Sequence, residues 1–164
     1  MRLVSREFNP ALILFLIQMS KKRSKAREFA VQAVYQWQMS GNELADILRQ
    51  FADEKKPKTY EADYFQDLLR GVVTNLAELD EMLSPLVDRD VERIDPVERA
   101  ILRLGAYELQ YHTEIPYRVV INEAVEMAKL FGAEQGHKYV NGVIDKLAQK
   151  IRAIEVKARQ QSSR

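Results

Sequence analysis

The sequence predicts an all-α protein, folded as a single compact bundle of about six or seven helices. Nearly every long segment after Ser24 repeats its apolar residues at spacings of three and four, which is the period of one helix face. No stretch shows a convincing strand alternation, and no internal repeat or domain linker is evident. A chain of 164 residues that is 46% hydrophobic and 30% charged has enough apolar surface for one core. Together these observations favour a helical bundle.

The first two helices are marked by polar residues at their ends. An apolar stripe begins at Ala26, with Ser24 as the predicted N-cap and Gly41 just past the last turn. A shorter helix is predicted from about Asn42 to Phe51, before a polar stretch. Leucines at helical spacing then continue through one or two further helices until Pro85 disturbs the pattern.

The stretch IDPVERAIL contains the best-marked helix start. Asp95 is predicted to be the N-cap, with a proline at the first helical position and Glu98 at the third, which together make a capping box. The apolar spacing carries this helix to about His112. Pro116 separates it from the next predicted helix, which ends at Gly132.

The last long helix contains the dipeptide Asn141-Gly142, which between apolar runs also signals a β-hairpin. The surrounding residues KYVNGVID do not alternate, so the helix is favoured over the hairpin. A glycine inside a helix costs about 1 kcal/mol relative to alanine. We therefore expect a neighbouring element to pack closely against Gly142. The basic segment 152–164 is expected to fray.

Residues 1–18 contain the apolar run ALILFLI behind Arg2 and Arg6, which has the outline of a signal-peptide core. The run is too short to span a bilayer, and no small-residue cleavage motif follows it. A second methionine at position 19 opens MSKKRSKAREF. We predict that residues 1–18 are an upstream extension irrelevant to function, and that residues 19–151 form the functional domain.

The composition excludes several kinds of site. The chain has no cysteine, which excludes disulfides, thiolate catalysis and cysteine-based metal centres and favours a cytoplasmic protein. Its two histidines lie in no metal-ligand spacing, and no glycine-rich phosphate-binding motif is present. We therefore expect no enzymatic activity, no metal and no cofactor.

The charges are unevenly distributed along the chain. Through Arg27 there are seven Lys and Arg against one Glu, whereas the remainder carries 18 cations against 23 acids. The cluster KKRSKAR at positions 21–27 is either a phosphate-binding arm or a solvated tail. Tyr35 is predicted to lie away from the core stripe, and Tyr139 follows Lys138. Bases of single-stranded RNA stack on such rings while cations hold the backbone. Two hypotheses follow: an RNA-binding protein, or a helical adaptor that binds only proteins.

Five stretches carry a resemblance to a known family. They are RSKAREFAVQAVYQWQMS, YFQDLLRGVVTN, VERAILRLGAYEL, IPYRVVINEAVEMAKLFGAE and HKYVNGVIDKLA. From about Met19 to Ile151 the chain resembles the NusB family of bacterial transcription antitermination factors. The resemblance implies an all-helical fold without catalytic activity. It also implies binding of boxA RNA together with NusE, a small-subunit ribosomal protein, within an RNA polymerase antitermination complex on ribosomal RNA operons.

The resemblance also assigns roles to individual positions. The arginine-rich arm of the family falls on Lys22, Arg23, Lys25 and Arg27. The second half of its RNA surface falls on Phe131, Gln135, Lys138 and Tyr139. The NusE-facing positions fall on Leu86, Glu92 and Glu98, in keeping with an acidic body that meets a basic protein.

Three departures from the family pattern stand on this surface. Ser24 replaces a frequent arginine, Gln135 a frequent acid and Tyr139 a frequent phenylalanine. We expect a slightly weaker arm from the first change and less repulsion of RNA from the second, while the third should be mild because tyrosine stacks as well as phenylalanine. If about four phosphates are neutralised, log affinity should fall with log salt at a slope of roughly −3.

Overall fold

The protein is described by a computed structural model over residues 9–132 and 135–163. These residues form eight α-helices and contain no strand, so the all-α prediction is confirmed with one helix more than expected. The helices are α1 (Pro10–Ser40), α2 (Leu44–Glu54), α3 (Ala62–Thr74), α4 (Leu76–Leu83), α5 (Pro96–Tyr111), α6 (Tyr117–Phe131), α7 (Gly136–Ile151) and α8 (Ala153–Ser162). Short 3-10 turns occupy Pro57–Thr59, Ser84–Leu86 and Val91–Arg93.

Helix α5 lies at the centre of the bundle. Every residue from 99 to 109 is buried, so this helix has no solvent face along most of its length. Helices α1, α3, α4, α6 and α7 all pack against it. A Cβ atom at Gly105 would lie 2.8 Å from Ile144 Cδ1, so the missing side chain lets α7 approach α5 closely. The buried face of α5 therefore includes the charged residues Arg99, Arg103 and Glu108 as well as apolar ones.

Helix α1 begins well before its predicted start. The Asn9 side chain caps it by accepting hydrogen bonds from the N–H groups of Ala11 and Leu12, and Pro10 occupies the first helical position. Ser24 is therefore an interior residue, and its prediction as N-cap is wrong. The apolar side chains of residues 12–17 stand exposed on this extension. Among the described residues, no helix is long and apolar enough to cross a membrane. Residues 1–8 lie outside the described residues.

The predicted start of α5 is confirmed in its main feature. Asp95 Oδ1 accepts hydrogen bonds from the backbone N–H groups of Val97 and Glu98, at 3.0 and 3.3 Å. The capping box is not closed, because no hydrogen bond between these described residues returns from Glu98 to the Asp95 N–H. The Glu98 carboxylate instead lies beside Gly136, where an added Cβ would come within 2.6 Å of Oε1. Packing of α7 on α5 thus redirects this side chain.

The helix through Asn141-Gly142 is confirmed, but the expected close packing at Gly142 is wrong. Gly142 is exposed, and a Cβ added there would meet nothing within 4 Å. It follows buried Val140 by two residues, or about 200° around the helix, and so lies opposite the core face. The tightest approach is at Gly71, where a Cβ would lie 2.0 Å from Tyr107 Cζ.

The C-terminal segment forms α8, although it was expected to fray. Arg152, which is 6% exposed, joins it to the bundle. Its guanidinium donates to four main-chain carbonyls, those of Leu109 at 2.7 Å, His112 at 2.9 Å, Ile115 at 3.0 Å and Glu108 at 3.4 Å. These carbonyls belong to the end of α5 and the loop after it, so one arginine satisfies groups that a helix end leaves free. Residue 164 lies outside the described part of the chain.

Candidate nucleic-acid interface

Three lysines of the basic cluster on α1 are open to solvent. Lys21 and Lys22 are exposed. The Lys25 side chain is 46% exposed, and its Nζ lies 3.0 Å from a carboxylate oxygen of Glu28 one turn further along. An exposed pair of this kind holds its partner weakly, so a phosphate can compete for the ammonium group.

Arg23 is half-exposed but already paired. Its Nε and Nη2 each donate to one carboxylate oxygen of Glu61, both at 3.0 Å, in a two-point fork. Its guanidinium also stacks 4.4 Å from the ring centre of Tyr64. These hydrogen bonds to Glu61 raise the pKa of Arg23 against the opposing effect of burial. Contact with a phosphate would therefore require exchange for Glu61.

Arg27 lies in the core rather than on a surface open to RNA. It is 2% exposed, and its Nε donates to Glu108 Oε1 at 2.7 Å. Burial raises the pKa of Glu108, which the Arg27 charge opposes. Within the described residues, Glu108 Oε2 has no hydrogen-bond partner. The burial of Arg27 could have been predicted from the sequence, because it shares one helix face with apolar residues at positions 26, 30, 31 and 34.

Tyr35 and Phe131 line the same cleft, although 96 positions separate them in sequence. Tyr35 is 39% exposed, which confirms its predicted position away from the core. With Val31, Gln32 and Val97 these two rings line a cleft of about 230 Å³ between α1, α5 and α6. The spacing of residues within single helices could not predict this shared cleft, because it depends on how α1 and α6 pack side by side.

The remaining residues of the predicted RNA surface lie where α6 ends and α7 begins. Gln135 and Lys138 are exposed, while Tyr139 is half-buried against the core. The Tyr139 hydroxyl donates to Asp88 Oδ1 at 3.3 Å, and burial raises the pKa of the phenol. Among the described residues of this edge, Lys138 thus presents an exposed cation next to a fixed aromatic ring.

The lysines on α1 and the aromatic edge are separate patches. Lys22 and Tyr35 lie on the same helix, about 20 Å apart along its axis. Between them, the groove that α1 forms with α6 is lined by Glu28, Glu123 and Glu126. An RNA strand that touched both patches would have to pass these carboxylates.

Two of the predicted partner-facing residues also have structural contacts. The Glu92 side chain is 72% exposed, yet its Oε1 accepts a hydrogen bond at 2.9 Å from Nη2 of Arg103, which is 2% exposed. Its Oε2 lies 3.8 Å from Nη1 of buried Arg99. Glu98 is half-buried, and burial raises the pKa of its carboxyl. Leu86 is half-buried against the core. Neither buried arginine was predicted from the sequence as part of this surface.

His112 closes α5 and is held between two carboxylates. Its ring nitrogens are hydrogen-bonded to Asp67 and Glu114. Burial lowers the pKa of His112, but the hydrogen bonds to Glu114 and Asp67 outweigh it and the pKa is raised overall. The rings of Tyr64 and Tyr107 pack edge-on against the imidazole. This arrangement ties α3 to the loop before α6, far from the aromatic cleft.

Comparison with known proteins places the chain in a family. The model of the NusB family matches residues 24–149. The transcription antitermination protein NusB of Shewanella amazonensis is 54% identical over 126 residues, which cover 77% of this chain and 94% of that protein. The protein of the same name from Nitrosococcus oceani is 54% identical over 141 residues, covering 86% of this chain and 95% of its own length.

Solved structures agree with the sequence comparison. The fold matches T. maritima NusB with a TM-score of 0.70 at 31% identity, over 77% of this chain and 90% of that one. It also matches a crystal structure of antitermination factors NusB and NusE in complex with dsRNA, with a TM-score of 0.72 at 25% identity, over 80% and 99% of the two chains. Since the family model covers most of the chain and the relatives are matched over nearly their whole length, this chain belongs to the NusB family.

Proposed function

We propose that this NusB-family chain is a transcription antitermination factor that binds boxA-like single-stranded RNA together with NusE, as part of an RNA polymerase antitermination complex. The observation that carries the proposal is the placement of Tyr35 and Phe131 in one cleft, beside the edge that presents Lys138 and Tyr139. The names of its relatives and the solved complex of NusB, NusE and dsRNA support it. In this proposal the chain acts in the cytoplasm without catalysis, and residues 19–151 do the work.

The aromatic edge is proposed to read unpaired bases. Tyr35, Phe131 and Tyr139 offer ring faces at least partly open to solvent, and each stacked base contributes about 1–3 kcal/mol. Lys138 would hold the adjacent phosphate. Uncharged Gln135 beside it adds no repulsion. Stacking on side chains requires bases that are splayed out of a helix, which is why a single strand is the proposed ligand.

The basic arm is proposed to act through its lysines. Lys22 and Lys25 are free to contact phosphates, and Arg23 contributes only where phosphate displaces Glu61. Arg27 supports the arm indirectly by fixing α1 against α5. If Lys22, Lys25 and Lys138 each neutralise one phosphate, log affinity should fall with log salt at a slope of about −2. This slope is shallower than the value of roughly −3 expected when about four phosphates are neutralised.

NusE is proposed to bind the surface that contains Leu86, Glu92 and Glu98. Two carboxylates and an apolar side chain suit a basic ribosomal protein. Glu92 already compensates buried arginines, so its replacement should weaken folding as well as binding. Glu98, which forms no ion pair with any described residue, should report binding more cleanly.

Fluorescence anisotropy tests the proposal directly. A labelled boxA-like RNA and a scrambled RNA of equal length are titrated with the protein, with and without NusE, at several salt concentrations. We expect tighter binding of the boxA-like RNA and a further gain with NusE, because contacts shared among three molecules couple their binding. Equal affinity for both RNAs under all conditions would refute specific recognition.

One observation favours the rival function, an adaptor that binds only proteins. Arg23 and Arg27 are held by acids of the protein itself, and the groove beside the arm is acidic. Changing Lys21, Lys22 and Lys25 together to Gln separates the two functions, whereas truncation through Arg27 would remove core residues. The RNA-binding function predicts lost RNA affinity with NusE binding retained; the adaptor predicts no change in either.

A further inference from the structure

The loop before the Val91–Arg93 turn carries an arginine that belongs to none of the predicted surfaces. Arg89 donates two hydrogen bonds to the carboxylate of its neighbour Asp88, from Nε to Oδ1 and from Nη2 to Oδ2, both at 2.9 Å. The two side chains are 52% and 61% exposed. Such an exposed pair between adjacent residues contributes little to folding.

The Asp88–Arg89 pair lies next to Tyr139, on the proposed RNA-binding edge. The same oxygen, Asp88 Oδ1, accepts the hydroxyl of Tyr139 at 3.3 Å. One carboxylate therefore joins an exposed guanidinium to the aromatic ring that is proposed to stack a base. Lys138 stands exposed at the position before Tyr139 on α7. The cation of Arg89 thus lies at the edge of the aromatic patch, joined to the Tyr139 hydroxyl through one shared carboxylate oxygen.

We propose that Arg89 is a further RNA-contacting residue, and that Asp88 competes with the phosphate for it. A guanidinium fork fits a phosphate as well as it fits a carboxylate, so the RNA would replace Asp88 without any movement of the backbone. When the phosphate takes Arg89, Asp88 is left as a like charge close to the RNA. Asp88 therefore weakens binding while Arg89 strengthens it. This inference rests on the proposed RNA-binding function.

The two neighbours should respond with opposite signs. Arg89→Ala should weaken binding of boxA-like RNA about tenfold, since a charged hydrogen bond is lost. The substitution should reduce the slope of log affinity against log salt by about 1. It should lower the affinity for scrambled RNA by the same factor, because phosphate contacts carry no sequence information. Asp88→Asn keeps an oxygen for Tyr139 and removes the competing charge, so binding should tighten by about two- to fivefold.

The chain offers a matched control four residues away. Arg93 pairs with Asp90 at 3.9 Å, and the two side chains are 80% and 82% exposed. Arg93→Ala and Asp90→Asn change the same charges on the same loop without touching Tyr139. Both should leave RNA affinity within about twofold of the unchanged protein. Thermal melting of each variant verifies the fold, which these exposed positions should not alter.

The experiment is anisotropy of the labelled boxA-like RNA with the full-length protein, the four variants and Lys138→Ala as a fifth, repeated with NusE present. The inference is overturned if the unchanged protein binds this RNA and Lys138→Ala weakens it, while Arg89→Ala behaves like Arg93→Ala. Altered NusE binding with unaltered RNA binding in the Arg89 variant would equally overturn it, in favour of a protein contact. Failure of the unchanged protein to bind RNA would instead refute the proposed function.

Discussion

Replacing Arg27 by alanine tests whether this cation belongs to the fold or to the RNA surface. Arg27 and Glu108 have side chains 3% and 2% exposed and are joined at 2.7 Å, so removal of one leaves an uncompensated charge in the core. Breaking a buried pair in this way costs about 3–5 kcal/mol. Against a typical stability of about 5–15 kcal/mol, the variant should be severely weakened.

The loss should depend on pH with a definite sign. The folded-state pKa of Glu108 is raised by burial, and Arg27 is the main influence that lowers it. Without Arg27 the folded-state pKa of Glu108 rises further. A carboxyl whose pKa is higher in the folded than in the unfolded state makes its full contribution to stability below the unfolded-state pKa, and this contribution is lost as the pH rises through the folded-state pKa. The difference between the two proteins should therefore be largest near neutral pH and shrink as the pH falls toward about 4.5.

Urea denaturation followed by circular dichroism measures this free energy. Lys22→Ala, an exposed change on the same helix, is the matched control and should stay within about 0.5 kcal/mol. Replacing Arg27 by Met and Glu108 by Leu together should recover much of the loss, because neither charge is then stranded. A loss below 1 kcal/mol for Arg27→Ala, or an RNA defect larger than that of Lys22→Ala in conditions where both are folded, would refute the assignment of Arg27 to the core.

Three further predictions test the fold and the aromatic edge. Gly142→Ala should raise stability by about 1 kcal/mol, because nothing lies near the added methyl group, whereas Gly71→Ala should lower it by about 2 kcal/mol or more through the clash with Tyr107; thermal melts should show opposite shifts. The pKa of His112 is raised by its two carboxylate partners against the effect of burial. Its contribution to the free energy of unfolding is therefore fully present below about pH 6.5 and is lost as the pH rises. Urea titrations of His112→Gln should show a larger loss of stability at acidic than at alkaline pH. Gln135→Glu should lower the affinity for boxA-like RNA by about two- to fivefold with an unchanged melting temperature. An unchanged affinity would show that Gln135 is not part of the RNA-binding surface.

The boundaries that depend on local chemistry were predictable. Asp95 caps the N-terminus of α5, and Pro116, which lacks an N–H group, separates α5 from α6. The two helices begin directly after these residues. The prediction of Ser24 as the N-cap of α1 was wrong because the residues before it are already helical, so Ser24 lies inside the helix. The expected close packing at Gly142 was wrong, because the buried residues around it place Gly142 on the opposite, exposed face of α7.

The candidate site was predictable only in part, since it joins distant segments. The chemistry of Tyr35 and Phe131 was evident from the sequence, but their shared cleft depends on the packing of α1 against α6. Lys25 and Arg27 show the converse. Two cations in one basic motif differ by about 200° around the helix, so one faces solvent and the other the core.

The type of cation separates these roles in this bundle. Arg27, Arg103 and Arg152 are all at least nine-tenths buried. Arg27 donates to a buried carboxylate, and Arg103 and Arg152 each donate to several carboxylate or carbonyl oxygens. A guanidinium suits this task, because it holds a rigid fork of donors and remains charged when buried, whereas an ammonium is strongly hydrated and stays at the surface. Counting Lys and Arg alike therefore overestimates the phosphate contacts of the KKRSKAR motif. By the same reasoning Arg27→Lys should not rescue the alanine variant, while Lys22→Arg should leave both folding and RNA binding close to normal.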